Sequence, residues 1–245
     1  MSTYKIKSYA KINLALNITG KLRKLHKIES IVMFIDLYDL IFIKKIRGSK
    51  HIISFYGKYS KNINKINTVS KLFDILDKNE LLNKNKFHIK IKKNIPQRAG
   101  LGGGSMNSAN ILSFLNKKKF LQITQKQMIK ISNFIGSDVI FGINPKSCIL
   151  NSNGDIKKFL NCPKFFTLLV KPEFGCSTKI IYSKVRKFTR SKYDDPKKFM
   201  FSNEYLSTQK NNLEKIVFSK YPKLKKIKFF LKSLKNPLFV RMTGS

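Results

Sequence analysis

The chain has 245 residues, 42% of them hydrophobic, with 20 Phe and no Trp; that apolar content excludes a disordered polymer and is enough for one large domain or two modest ones. Lysine and arginine number 50 against 13 acidic residues, a formal net charge of +37, which taken alone fits a basic RNA-binding module. The charge is nearly all lysine, spread along the chain and accompanied by abundant Asn and Ile, the imprint of an A/T-rich codon bias, and this argues against nucleic acid as a partner.

In chain order the periodicity predicts mixed α and β structure. An alternating, strand-like segment begins within a few residues of the N-terminus, and residues 31–43 read as one or two further strands. Val69, Leu72, Phe73 and Leu76 at helical spacing predict a helix over 68–82 with Thr68 as its N-cap. Phe87, Ile89 and Ile91 alternate with His88, Lys90 and Lys92, a half-buried strand. A glycine cluster follows Pro96, and then Ala109, Leu112 and Leu115 mark an amphipathic helix over 105–115. A second helix is predicted over 125–134, punctuated by Gly136. Residues 165–170 form an apolar run of strand length, closed by Lys171-Pro172; Ser177 is placed to cap a short helix reaching Val185. The Lys- and Asp-rich stretch 187–201 is the best candidate for a mobile loop. Leu224, Ile227, Phe230, Leu231 and Leu234 predict a last helix, followed by a strand-like Leu238-Phe239-Val240.

Three cysteines, Cys148, Cys162 and Cys176, form no C-x-x-C pair and no disulfide framework, which points to a reduced, cytoplasmic setting. No apolar run approaches the roughly 18 residues that cross a bilayer, and none resembles a signal peptide, so a soluble protein without a membrane partner is expected. Monomer and homodimer both remain open.

The stretch that carries chemistry is Ala99-Gly100-Leu101-Gly102-Gly103-Gly104-Ser105, between a predicted strand and a predicted helix. Glycines let successive backbone N–H groups turn into one concavity, and the helix adds its positive end, so this is an anion site suited to phosphates. It lacks the Lys-Ser/Thr pair of a Walker loop, and a dinucleotide fingerprint would need glycine at position 105.

With Pro96 before it, this stretch resembles the second motif of the GHMP kinases, their ATP phosphate loop. Tyr9-Ala10-Lys11-Ile12-Asn13-Leu14 is similar to the first motif of the diphosphocytidyl-methylerythritol kinases in that superfamily, Gly136-Ser137-Asp138-Val139 to their catalytic segment, and Met242-Thr243-Gly244-Ser245 to the start of the third motif. Ile35-Asp36-Leu37-Tyr38-Asp39, Phe174-Gly175-x-Ser177-Thr178, Asn211-Asn212-Leu213-Glu214 and Tyr221-Pro222 also match, in family order.

The resemblance implies an α+β fold of two domains. Residues 1–158 would be a ribosomal-protein-like N-terminal domain with the ATP phosphate loop, and 159–245 a ferredoxin-like C-terminal domain, incomplete at its end and so expected to leave an apolar face open. It implies ATP-dependent phosphorylation of the 2-hydroxyl of a cytidine diphosphate methylerythritol in non-mevalonate isoprenoid biosynthesis, with Mg²⁺ as cofactor. Asp138 would be the base and Lys11 its partner. Pro96, Ala99, Gly100, Leu101, Gly102, Gly103, Gly104, Ser105, Thr243 and Gly244 would bind ATP; Asn13, His26 and Phe174 would contact the substrate. Leu25 stands where the family has a tyrosine, and Arg23-Lys24-Leu25-His26 replaces its Asp-Gly-Tyr-His. Arg98 stands where a small residue is usual, and Met106-Asn107 where the family has Ser-Asp. Another GHMP kinase acting on a homoserine-, mevalonate- or galactose-like alcohol, and a decayed kinase without turnover, are the alternatives at this level.

Overall fold

The computed structural model describes residues 2–23 and 25–244; Met1, Lys24 and Ser245, the last of these in the stretch that resembles the start of the third motif, lie outside them. The strands are β1 (Thr3–Leu22), β2 (Leu25–Ile46), β3 (Ile52–Tyr56), β4 (Lys86–Lys92), β5 (Cys148–Leu150) and β6 (Ile156–Lys158). The helices are α1 (Thr68–Lys78), α2 (Gly103–Lys117), α3 (Gln125–Ile135), α4 (Thr178–Ser183), α5 (Asn203–Thr208), α6 (Glu214–Lys220) and α7 (Pro222–Ser233), with short 3-10 turns at Val139–Gly142 and Lys198–Phe201. They form two compact units, neither contiguous in sequence: residues 1–11, 35–97 and 101–145 make the first, and 12–34, 98–100 and 146–245 the second.

In the first unit the C-terminal half of β2 pairs antiparallel with β4, Ile41 opposite Ile91 and Ile43 opposite Ile89. β3 lies parallel on the other side of β4, Ile53 opposite Ile89. The period of two puts these isoleucines on one face, against Val69, Leu72 and Leu76 of α1 and Ile111, Leu112 and Leu115 of α2. Fully burying a side chain the size of Phe87, which is inaccessible here, is worth about 1.5–3 kcal/mol, so the core holds both helix starts in place.

The first helix begins as expected but under a different cap. Asn67, not Thr68, is the N-cap: its side-chain oxygen accepts from Val69 N and Ser70 N, and the Ser70 hydroxyl accepts from Asn67 N. Asparagine is the stronger cap, and it leaves the Thr68 hydroxyl to donate to the Gly104 carbonyl at 2.7 Å. The helix stops at Lys78 rather than 82, because Glu80 turns to positive φ. Gly136 follows α3 in extended backbone, φ 169°, so its flexibility is not what ends that helix.

In the second unit the N-terminal half of β2 pairs with β5, Ser30 opposite Leu150, and β5 pairs with β6; β1 pairs with β2. Leu16 and Ile18 of β1 pack with Ile181, Val185, Leu213 and Val217. Three expectations fail here. Residues 165–170 and 238–240 join no strand ladder; their apolar side chains, with Ile227 and Leu231 of α7, line a cavity of about 450 Å³, and Phe166 is fully exposed. Apolar runs of strand length form strands only where a neighbour offers a ladder. The stretch 187–201 is anchored rather than loose, through Glu29. That buried carboxylate accepts from Asn17 Nδ2 at 2.8 Å, Ser191 Oγ at 2.7 Å, Lys192 N at 3.0 Å and Tyr193 N at 3.0 Å, and Tyr193 is wholly buried. None of the three cysteines is joined in a disulfide. Among the described residues no helix is long and apolar enough to cross a membrane.

Candidate active site

Two groups of the sequence-selected residues come together, one within each unit. In the first unit Lys11 lies on β1 with 2% of its surface exposed. Its ammonium is 3.1 Å from Asp138 Oδ2. The backbone N–H of Lys11 donates to the Leu101 carbonyl at 3.1 Å, which registers the strand against the glycine loop. Asp138 follows α3 and begins the 3-10 turn that buries Val139 and Phe141; that apolar anchor points the carboxylate outward, one third exposed.

Gly102 is the N-cap of α2 with φ 66°, the left-handed region that glycine enters without steric cost. A Cβ there would meet Lys11 Cγ at 3.0 Å and Cε at 3.1 Å. The bare backbone is what lets the lysine lie along the loop. Gly103, Gly104 and Ser105 form the first turn of α2, whose unpaired N–H groups and positive end suit a phosphate. Pro96 stands half-buried ahead of them. Leu101 is buried.

In the second unit Asn13 is the organiser. Its backbone N–H donates to Thr243 Oγ1 at 2.9 Å, and its side-chain oxygen accepts from Gly244 N at 3.1 Å; its Nδ2 donates to Ser30 Oγ at 2.8 Å. The Thr243 hydroxyl reaches the Gly100 carbonyl at 3.4 Å, and the backbones of Gly100 and Gly244 touch where any Cβ would collide. Asn211 Nδ2 donates to the carbonyls of Met242 at 3.0 Å and Gly244 at 2.9 Å, so the third motif is held from both sides. Arg98, in the left-handed region at φ 51°, packs against Gly175. Ala99 is half-buried beside it.

His26 and Phe174 are not brought together. The His26 ring lies 5.2 Å from Tyr182 and 6.4 Å from Phe188, whereas Phe174 stacks on Tyr221 at 5.9 Å. Burial, helped by Lys21, lowers the His26 pKa below its ordinary value, which favours a neutral ring. Leu25 is exposed. Sequence reasoning missed Tyr182, whose only signal was an aromatic residue on the helix after Ser177-Thr178.

Comparison with known proteins points to one family. Residues 67–145 match the family model described as GHMP kinases N terminal domain. Over all 245 residues, and 87% of the relative, the chain is 57% identical to a 4-diphosphocytidyl-2-C-methyl-D-erythritol kinase of Pelagibacter ubique. It is 30% identical to one from Caldicellulosiruptor bescii, covering 98% of this chain and 86% of the relative. A crystal structure of 4-(cytidine 5'-diphospho)-2C-methyl-D-erythritol kinase superposes with a TM-score of 0.75 at 22% identity, over 98% of this chain and 87% of that one. A mevalonate kinase structure follows at 0.56 and 15% identity, over 99% and 88%. The mixed α+β fold is that of the GHMP kinases, and the chain belongs to the 4-diphosphocytidyl-2-C-methyl-D-erythritol kinase family.

Proposed function

We propose that this chain phosphorylates the 2-hydroxyl of 4-diphosphocytidyl-2-C-methyl-D-erythritol with ATP, in the non-mevalonate route to isoprenoids, using Asp138 as base and Lys11 as its cationic partner. The observation that carries the assignment of roles is the Lys11–Asp138 contact at 3.1 Å beside the glycine turn at Gly102. Phosphoryl transfer needs an oriented nucleophile, a proton acceptor and charge neutralisation, with little covalent work by the protein. Asp138 takes the hydroxyl proton as the oxygen attacks the γ-phosphorus. The bond from that phosphorus to the β-bridging oxygen breaks, and ADP leaves. Lys11 pairs with the carboxylate at 3.1 Å and faces the developing charge.

The amides of residues 102–104 bind the nucleotide phosphates, with Pro96 and Leu101 shaping the loop; Ala99, Gly100, Thr243 and Gly244 are kept as further ATP contacts. Mg²⁺ takes oxygen ligands and keeps several waters, and the Ser105 hydroxyl on the first turn of α2 is such a donor; when bound, the ion neutralises charge on the phosphates. His26 and Asn13 contact the substrate. The ring of Tyr182 beside His26 offers the base a face that Leu25 lacks, and Phe174 is kept as a further contact. Residues 1–158 and 159–245 serve as the two family domains, and a cytoplasmic monomer or homodimer is the working form.

The test is ADP release in the presence of Mg²⁺ and the cytidine substrate, comparing the chain with Asp138→Ala. Losing a positioned general base costs about 10²–10⁴ in kcat. Turnover that ignores the cytidine substrate, or survives the substitution, would sink this reading.

A further inference from the structure

Asp39 belongs to a family-like stretch to which the catalytic site gives no role, yet it is among the most heavily bonded side chains in the first unit. It lies on β2, fully buried. Oδ1 accepts the backbone N–H of Asn94 at 2.8 Å and of Ile95 at 2.9 Å. Oδ2 accepts from Asn107 Nδ2 at 2.9 Å, and from the ammonium of Lys93, itself 4% exposed. Asn94 Nδ2 adds a bond to the Tyr38 carbonyl at 2.9 Å.

The donors sit at two places in the chain. Lys93, Asn94 and Ile95 immediately precede Pro96, where the glycine stretch is entered, and Asn107 is on α2, where it is left. One carboxylate therefore ties the entrance of the loop to the helix at its exit. Gly103 rests on the tied segment: a Cβ there would lie 3.0 Å from Ile95 Cγ2 and 3.4 Å from Lys93 Nζ. Movement of residues 93–95 would be felt at once in the first turn of α2, because close-packed interiors transmit displacement.

Packing alone does not explain such a cluster. A buried ion pair replaced by apolar residues of similar volume is often neutral or stabilising, so a fold that needed only to fill this space has no use for it. Asn107 makes the same point. Its Oδ1 is buried without a hydrogen-bond partner, an arrangement native structures rarely keep, and its Nδ2 end is the one that meets Asp39. The bond to Asp39 is what the buried amide contributes here.

We propose that Asp39 is a positioning residue for ATP: without touching the nucleotide, its carboxylate fixes the spacing between the strand that enters the glycine loop and the helix that leaves it. The proposal rests on assigning the ATP phosphates to residues 102–105, and the experiment separates the two. Steady-state kinetics with ATP and 4-diphosphocytidyl-2-C-methyl-D-erythritol are measured on the full chain and on Asp39→Asn, Asn107→Ala and Ser105→Ala, each checked for folding by circular dichroism.

Asp39→Asn is expected to raise KM for ATP about tenfold while KM for the alcohol and kcat stay within about twofold to threefold, since one amide oxygen cannot serve donors on both sides. Asn107→Ala should raise KM for ATP about threefold in the same selective way. A purely structural role would move both KM values together or only the melting temperature. A folded Asp39→Asn with KM for ATP unchanged, or with both KM values rising in parallel, overturns the proposal. Should Asp39→Asn fail to fold, Asn107→Ala decides, and an unchanged KM for ATP overturns it. If Ser105→Ala raises KM for ATP and neither other variant does, the clamp alone is wrong. If none of the three raises it, the loop assignment falls as well.

Discussion

Lys11 shows how little a single residue type says until it is placed. One of many lysines in the sequence, it is 2% exposed and paired with Asp138 in the structure, and burial of such a group is costly unless it has a partner. Lys11→Met keeps the stem that lies along Gly102 and removes the charge; kcat should fall by about 10²–10³, measured as ADP release, with KM for ATP less affected. His51 was not selected from the sequence at all. Its Nδ1 accepts from Phe87 N at 3.1 Å and its Nε2 faces Asp77 Oδ1 at 3.2 Å, so the ring is neutral with its proton on Nε2. Burial pushes its pKa below the ordinary value, although Asp77 and Asp74 work against the shift and Lys86 with it. Asp77 stays ionised in this window, because Lys86 and His51 outweigh the upward push of burial. A histidine with a depressed folded pKa contributes stability that is present above its unfolded value, near 6.5, and is lost as pH falls through the folded value. The melting temperature should therefore drop on going from about pH 7.5 to about pH 5. In His51→Phe that drop should be smaller, the remainder coming partly from His26, shifted the same way. An identical slope in the two proteins would count against the assignment.

At the scale of elements, caps and clamps decide. The Asn67 capping box should make Asn67→Ala cost about 1 kcal/mol by denaturant titration; Thr68→Val should cost less, having no cap to lose. The segment 187–201 looked mobile because lysine and aspartate dominate it, and composition cannot show that a carboxylate far earlier in the chain accepts its amides. Glu29→Gln loosens that clamp, and trypsin should then cut at Lys187, Arg190 or Lys192 faster than in the unchanged chain, while cleavage elsewhere keeps its rate. The opposite error occurred at 165–170 and 238–240, where apolar character was legible and the ladder partner that makes a strand was not.

For the whole molecule the dominant quantity is the net charge of +37, which opposes compaction through self-repulsion. Raising NaCl from about 0.05 M to about 0.5 M shortens the Debye length well below the size of a domain, so the melting temperature should rise with salt. A fall would mean that specific ion pairs outweigh the repulsion. Apolar surface is also open in the second unit, where Phe166 is fully exposed, Leu168 largely so and Leu238 about half; exposed apolar patches of this kind bind hydrophobic dyes or partners.

Local patterns were enough to read the family, the order of most elements, the glycine loop and the candidate base and lysine, because each of these is a period, a run of glycines or a short motif in order. Which residues meet was settled only when the chain folded back on itself. Units assembled from separated stretches of chain, the Glu29 and Asp39 carboxylates gathering donors from distant segments, and Tyr182 rather than Phe174 beside His26 all depend on contacts between residues far apart in the chain, which no local pattern encodes; the Asn67 cap, whose donors lie two and three residues on, was within reach of the local pattern.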